Sequence, residues 1–170
     1  MSEKCKPNQT DYSRLKYLLT EKNWKQADDE TRSLMCRVAG REAVPHLTPE
    51  AVRVFPYEIL DAIDILWASN SEGRFGFRAQ RKLWRECGGI GAILDFGKME
   101  GGGKAALAEA ERKFVRRVGW VDARCWTGVS SSLPVGYLPY SCLMCSYGHG
   151  LIGLVTAALV WRFGDPSSNT

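Results

Sequence analysis

Apolar positions recur every three to four residues along the first two-thirds of the chain, the period of amphipathic helices. Tyr12, Leu15, Leu18 and Leu19 form one such face, with Asp11 placed to cap it. Asn23 breaks the pattern and restarts it. Trp24, Ala27, Thr31, Leu34, Met35 and Val38 follow at helical spacing, and Gly40 supplies a C-terminal stop. A loop covers 41–47. Thr48-Pro49-Glu50 reads as a helix start, with proline at the first helical position and an acid in the first turn. Pro56 opens another helix, whose broad apolar face holds Tyr57, Leu60, Ile63, Ile65, Leu66 and Trp67. After a turn at 69–73, a helix is predicted from Phe75 to Cys87, with Phe77, Gln80, Leu83 and Trp84 in register. Glycines at 88, 89, 91 and 101–103 bracket a loop-like insert near 88–104, and Ala105 to Val118 is a charged helix that Gly119-Trp120 ends. No run shows the strict alternation of a half-buried sheet, so the pattern predicts an all-α fold.

Composition adds a division to this picture. A chain of 170 residues suits one compact domain. Its net charge of +4 is spread over interleaved acids and bases, which points away from nucleic acid. Of the 42 charged side chains, 40 precede Cys125, and only Arg162 and Asp165 follow. The chain thus divides into a flexible N-terminus at 1–10, a helical domain at 11–126, and an apolar, charge-poor C-terminal part of that domain at 127–170. The last part has three readings: a segment packed on the domain, a peripheral membrane contact, or a stretch that does not pack. A spanning helix needs roughly 20 apolar residues. The stretch from Tyr140 to Trp161 is diluted by Ser141, Ser146, His149 and glycines 148, 150 and 153.

Candidate chemistry is sparse. The N-terminus has no apolar secretory core, so the six cysteines read as reduced thiols. Cys142, Cys145 and His149 have a C-x2-C-x3-H spacing that suits zinc with Cys125 as a fourth ligand; cysteine as a small core residue is the competing reading. Lys104 follows a glycine triplet but precedes Ala105, where a phosphate loop needs Ser or Thr. Two histidines and no recognisable set of nucleophile, base and oxyanion donors argue against an enzyme.

Three ordered pieces carry a family resemblance: Trp24-x2-Ala27-Asp28-x2-Thr31, then Phe55-Pro56-x3-Leu60-x2-Ile63-Asp64-x-Leu66-Trp67, then Ser71-x-Gly73-Arg74-Phe75-Gly76-Phe77-x2-Gln80. With Gly119-Trp120 and Trp126 after them, they resemble the "genomes uncoupled four" family of porphyrin-binding regulators of magnesium chelatase. The match runs from about 12 to 126, apart from the glycine-rich insert. The resemblance implies an all-helical cupped hand whose apolar palm holds a flat tetrapyrrole, protoporphyrin IX or its magnesium form, without transforming it. It implies the large subunit of magnesium chelatase as partner, a monomer, and a cyanobacterial cytoplasm or plastid stroma as location.

Such a palm needs aromatic and aliphatic walls and basic or amide groups at the rim, where arginine meets a propionate in bidentate fashion. The matching positions nominate Trp24, Val44, Leu47, Phe75, Trp126 and Val129 for the walls. Arg78 heads the rim candidates, with Arg74 and Arg81 beside it, and His46 sits in the loop that would overhang the palm. Each piece also has a plain structural role: Asp28 and Thr31 closing local helix hydrogen bonds, Asp64 paired with Arg74 or a backbone N–H, and Trp24, Trp67, Trp84 and Trp120 packing. Of Phe75 and Phe77, one is expected in the core and the other toward the palm. The family's second finger follows a Gly-His-Leu-Pro element and carries two arginines. Here the echo is either Gly148-His149-Gly150-Leu151 or Gly136-Tyr137-Leu138-Pro139, with no arginine until Arg162, and Val129 replaces an aromatic. The alternative reading is therefore an interaction or sensor domain that keeps the fold with an altered or lost porphyrin site.

Overall fold

The structure, a computed structural model, describes residues 10–43, 47–89, 102–120, 133–141 and Phe163. Among these residues every regular element is a helix: α1 (Ser13–Thr20), α2 (Trp24–Val38), α3 (Pro49–Arg53), α4 (Tyr57–Asn70), α5 (Phe77–Glu86) and α6 (Gly102–Arg117). The helical periodicity is thus realised, and the chain is all-α.

The helix boundaries follow from capping chemistry. Asp11 accepts a hydrogen bond from the Ser13 N–H at 2.8 Å, although Tyr12 occupies the capping position itself. Asn23 caps α2 by accepting from the Gln26 N–H at 3.4 Å. At its other end, Gly40 (φ +66°) donates to the Arg37 carbonyl at 3.0 Å and Arg41 to the Cys36 carbonyl at 2.8 Å. That pair of bonds closes the last turn because glycine alone takes the left-handed conformation without steric cost. Thr48 caps α3 through the Ala51 N–H, with Pro49 in the first turn.

Two boundaries differ from the periodicity. The helix expected from Phe75 begins at Phe77, and both Phe75 and Phe77 are buried, against the expectation that one would be exposed. The reason is Gly76, at φ +117° and ψ 166°. This turn lets the chain enter α5 directly, so the alternation of an extended strand never operates. Helix α6 starts at Gly102, within the triplet that reads as linker.

One core joins the pieces. Leu15, Leu18 and Leu19 of α1 pack with Ala27, Leu34 and Met35 of α2, Ile59, Leu60, Ile63 and Trp67 of α4, Leu83 and Trp84 of α5 and Phe114 and Val118 of α6. Burial of each large apolar side chain contributes about 1.5–3 kcal/mol before chain entropy is subtracted. Trp84, Phe114 and Trp120 meet edge to face at 5.3 and 5.4 Å, tying α5 to the end of α6. Trp67 and Trp120 each direct the indole N–H to an oxygen, of Thr31 at 3.0 Å and of the Tyr137 carbonyl at 2.9 Å. The packing roles expected of Trp67, Trp84 and Trp120 hold, and Trp24 packs against the same core while staying half-buried.

Residues 133–141 form a strap across this core. Leu133, Tyr137 and Leu138 are buried, and the Leu138–Pro139 bond is cis. The Gln80 amide donates to the Gly136 carbonyl at 3.1 Å and the Pro139 carbonyl at 2.9 Å. The backbone adds Gly136 N–H to Arg74 at 2.8 Å and Gly76 N–H to Leu138 at 3.0 Å. This start of the charge-poor region is packed, and the Gly136–Pro139 echo of the family element lies within it. The other echo, at 148–151, falls outside the described residues, as do Cys125, Cys142, Cys145 and His149. No helix among the described residues is long and apolar enough to cross a membrane, and no cluster of acids, histidines and cysteines among them suits a metal.

Candidate functional site

An aromatic cluster that reaches the surface forms where α2 begins, α4 ends and the chain turns toward α5. Trp24 stacks on Trp67 with ring centroids 6.1 Å apart and planes 23° apart. Phe75 meets Trp24 edge-on at 5.3 Å and Trp67 at 6.2 Å. Trp67 and Phe75 are buried, whereas Trp24 is half-buried and carries the cluster to the surface. Two cations border it. The Lys22 ammonium lies 5.4 Å from the Trp24 ring centroid and donates to the Asn70 carbonyl at the end of α4. The Arg74 guanidinium lies 5.3 Å from the Phe75 centroid and donates to the Leu133 carbonyl. An aromatic wall with cations along its edge is the composition a planar, anionic ligand requires.

The structure therefore brings Trp24, Phe75 and Arg74 together and adds Lys22, which the motif reading missed. A lysine two residues before the tryptophan carries no pattern of its own. Its placement comes from Lys22 itself adopting φ +56° in the turn between α1 and α2. Leu47 is buried in the common core. Val44, His46, Trp126 and Val129 lie outside the described residues.

Arg78 stands in a different environment from an open rim cation. Its guanidinium donates to Asp64 Oδ2 at 2.6 Å, Asp61 Oδ1 at 2.5 Å and the Tyr57 hydroxyl at 3.2 Å. Its backbone N–H donates to Asp64 Oδ1 at 3.0 Å. Phe163 covers the guanidinium at 4.8 Å and stacks on Phe77. The buried Asp64 carboxylate thus finds the backbone N–H expected of it, that of Arg78, and the Arg78 guanidinium rather than Arg74 as its cation; Asp61 is the second carboxylate on that arginine.

Asp28 corrects the expectation of a purely local bond. Its Oδ1 accepts from the Tyr140 N–H at 2.8 Å, and both oxygens accept from the Ser141 N–H at 3.0–3.1 Å; the Ser141 hydroxyl donates to the Asp28 carbonyl at 2.9 Å. The aspartate clasps the strap to α2 across more than a hundred residues of sequence. Thr31 does make the local bond, donating to the Ala27 carbonyl at 2.8 Å while accepting from Trp67.

Burial pushes the Asp28 carboxyl up to about 6, outweighing the amide hydrogen bonds that act the other way. The native state then holds a proton between about 4 and 6 that the unfolded chain has released, so stability falls as pH rises through that window and levels off above it. The difference is on the order of 3 kcal/mol. Urea unfolding at pH 4, 5, 6 and 7 should show the wild type losing this much relative to Asp28→Asn. Parallel pH profiles for the two proteins would contradict the assignment.

The helical architecture defines the class of protein, and comparison with known proteins gives the family. The chain belongs to the GUN4-like family, whose family model matches residues 6–147. The ligand-free structure of Arabidopsis thaliana GUN4 superposes with a TM-score of 0.61 and 27% identity, covering 95% of this chain and 99% of that one. GUN4 from Chlamydomonas reinhardtii gives a TM-score of 0.62 at 22% identity, a likeness of fold. Among curated relatives, a chloroplastic tetrapyrrole-binding protein of Arabidopsis thaliana is 43% identical over 68 residues, 39% of this chain and 26% of that protein. A Ycf53-like protein of Synechocystis is 29% identical over 137 residues, 76% of this chain and 50% of its own length. The chain spans half or less of the length of these two relatives.

Proposed function

We propose that this chain binds a tetrapyrrole, protoporphyrin IX or its magnesium form, and carries or senses it without transforming it. Membership of the GUN4-like family over residues 6–147 is the observation that carries the reading. The tetrapyrrole-binding relative supports it, and so does the Trp24–Trp67–Phe75 cluster with Lys22 and Arg74 at its border. Trp24 offers the macrocycle a face, and the two cations offer its propionates a counter-charge. Val44, Trp126 and Val129 complete the proposed walls, and Leu47 backs them from the core. Arg78, already balanced by Asp61 and Asp64, serves the rim by fixing the start of α5.

In this reading the protein assists magnesium chelatase by presenting porphyrin to its large subunit, acts as a monomer, and works in a plastid stroma or cyanobacterial cytoplasm. Absorption titration with Mg-deuteroporphyrin tests the site. Trp24→Ala should weaken binding at least tenfold, while Ile65→Ala, on the exposed side of α4, leaves it unchanged. Equal affinity for wild type and Trp24→Ala would place the ligand elsewhere.

A further inference from the structure

The outward face of α5 is a row of bases. Arg78, Arg81, Lys82 and Arg85 fall at i, i+3, i+4 and i+7, while Phe77, Gln80, Leu83 and Trp84 face the core. Helix α6 packs beside α5 and exposes Arg112, Lys113, Arg116 and Arg117. The two rows join where Arg117 approaches Glu86 at 3.9 Å and where the charges of Arg117 and Lys113 both reach Cys87. Arg78 is balanced by Asp61 and Asp64; among the described residues the other seven bases share this face only with Glu86, Glu109 and Glu111, a local excess of four positive charges in a chain whose net charge is +4. The rest of the chain therefore sums to zero, so the protein's net positive charge is concentrated on this face. Lys82, Arg85 and Arg116 are exposed and pair with no carboxylate among the described residues.

We infer that the α5–α6 face docks an acidic protein surface. Two features select this partner chemistry over other polyanions. Two of the three glutamates pair within the patch, Glu109 with Arg112 at 2.5 Å and Glu86 with Arg117 at 3.9 Å. A uniformly anionic lipid plane or a phosphate chain would meet their repulsion. A protein partner can set its own acids opposite the free bases and spare those positions. Second, the exposed large apolar side chains among the described residues are Tyr17, Val54, Ile65 and Val135, none on α5 or α6. The face therefore offers no apolar side chain to insert between acyl chains and no aromatic ring to stack on bases. Arginine's planar fork matches carboxylates well. A patch of two short helices gives a small, fast and salt-sensitive interface.

This inference is independent of the tetrapyrrole reading and is tested without porphyrin. The probe is fluorescent poly-L-glutamate, titrated by anisotropy in low salt, alongside phosphatidylserine vesicles and a DNA duplex. Lys82→Glu/Arg85→Glu should weaken poly-glutamate binding at least tenfold. Lys16→Glu/Arg53→Glu, which changes net charge equally on other helices, should weaken it less than threefold, and circular dichroism checks that both variants fold. Equal losses from the two variants would reduce the effect to net charge and overturn the inference. Tighter binding to vesicles or duplex than to poly-glutamate, abolished by the same α5 substitutions, would overturn the choice of partner.

Discussion

Gly76→Ala should come close to unfolding the protein, with a loss of about 3–5 kcal/mol in urea denaturation. Two costs add. At φ +117° and ψ 166° the backbone lies in a region essentially reserved for glycine, which costs an alanine about 1–3 kcal/mol. The new Cβ would also sit 2.6 Å from Asp64 Oδ1 and 3.4 Å from the Asp64 carbonyl. Asp64 cannot yield freely, because its buried carboxylate holds both the N–H and the guanidinium of Arg78. Displacing it leaves a charge in the core without its partners. Gly73→Ala is the informative comparison. It too has positive φ, but nothing lies within 4 Å of its added Cβ, so it should lose only about 1 kcal/mol. Equal effects at the two sites would show that the contact with Asp64 does not matter.

Gln80→Leu should rank second, at about 2–4 kcal/mol. The volume is nearly retained and only the polar amide is removed, so the loss isolates two hydrogen bonds. Both run from the buried Gln80 amide to strap carbonyls, those of Gly136 and Pro139. Without the amide those carbonyls stay buried and unpaired, and each such group costs about 1–3 kcal/mol. Because the strap and α5 separate together, hydrogen exchange should also rise at Gly76 and Gly136, whose N–H groups bond across this junction. A loss below 1 kcal/mol with unchanged exchange would mean that the strap is held by its apolar residues alone.

These two positions show what a single sequence discloses. Periodicity and capping residues locate the helices, since Asn23, Gly40 and Thr48 act locally and their chemistry is visible in a few neighbours. The ordered motifs give the family for the same reason. What they conceal is which distant partners those motif residues serve. Asp28 reads as a helix residue but binds the Tyr140 and Ser141 amides. Arg78 reads as a free rim cation but is balanced by Asp61 and Asp64, which lie a helix away. The buried pair Phe75 and Phe77 depends on one glycine dihedral that no alternation rule contains. Of the candidate site, Trp24, Phe75 and Arg74 were legible from the motif. Lys22 joins them only through the geometry of a turn.

In the proposed function the tetrapyrrole meets this chain at an aromatic face that Trp24 brings to the surface. The chain's six tryptophans make the direct test sensitive, since bound porphyrin quenches indole emission at short range. Purified protein titrated with deuteroporphyrin should show saturable quenching at micromolar ligand, reaching a plateau at one porphyrin per chain. A linear, unsaturating loss of emission, or none at all, would contradict the claim.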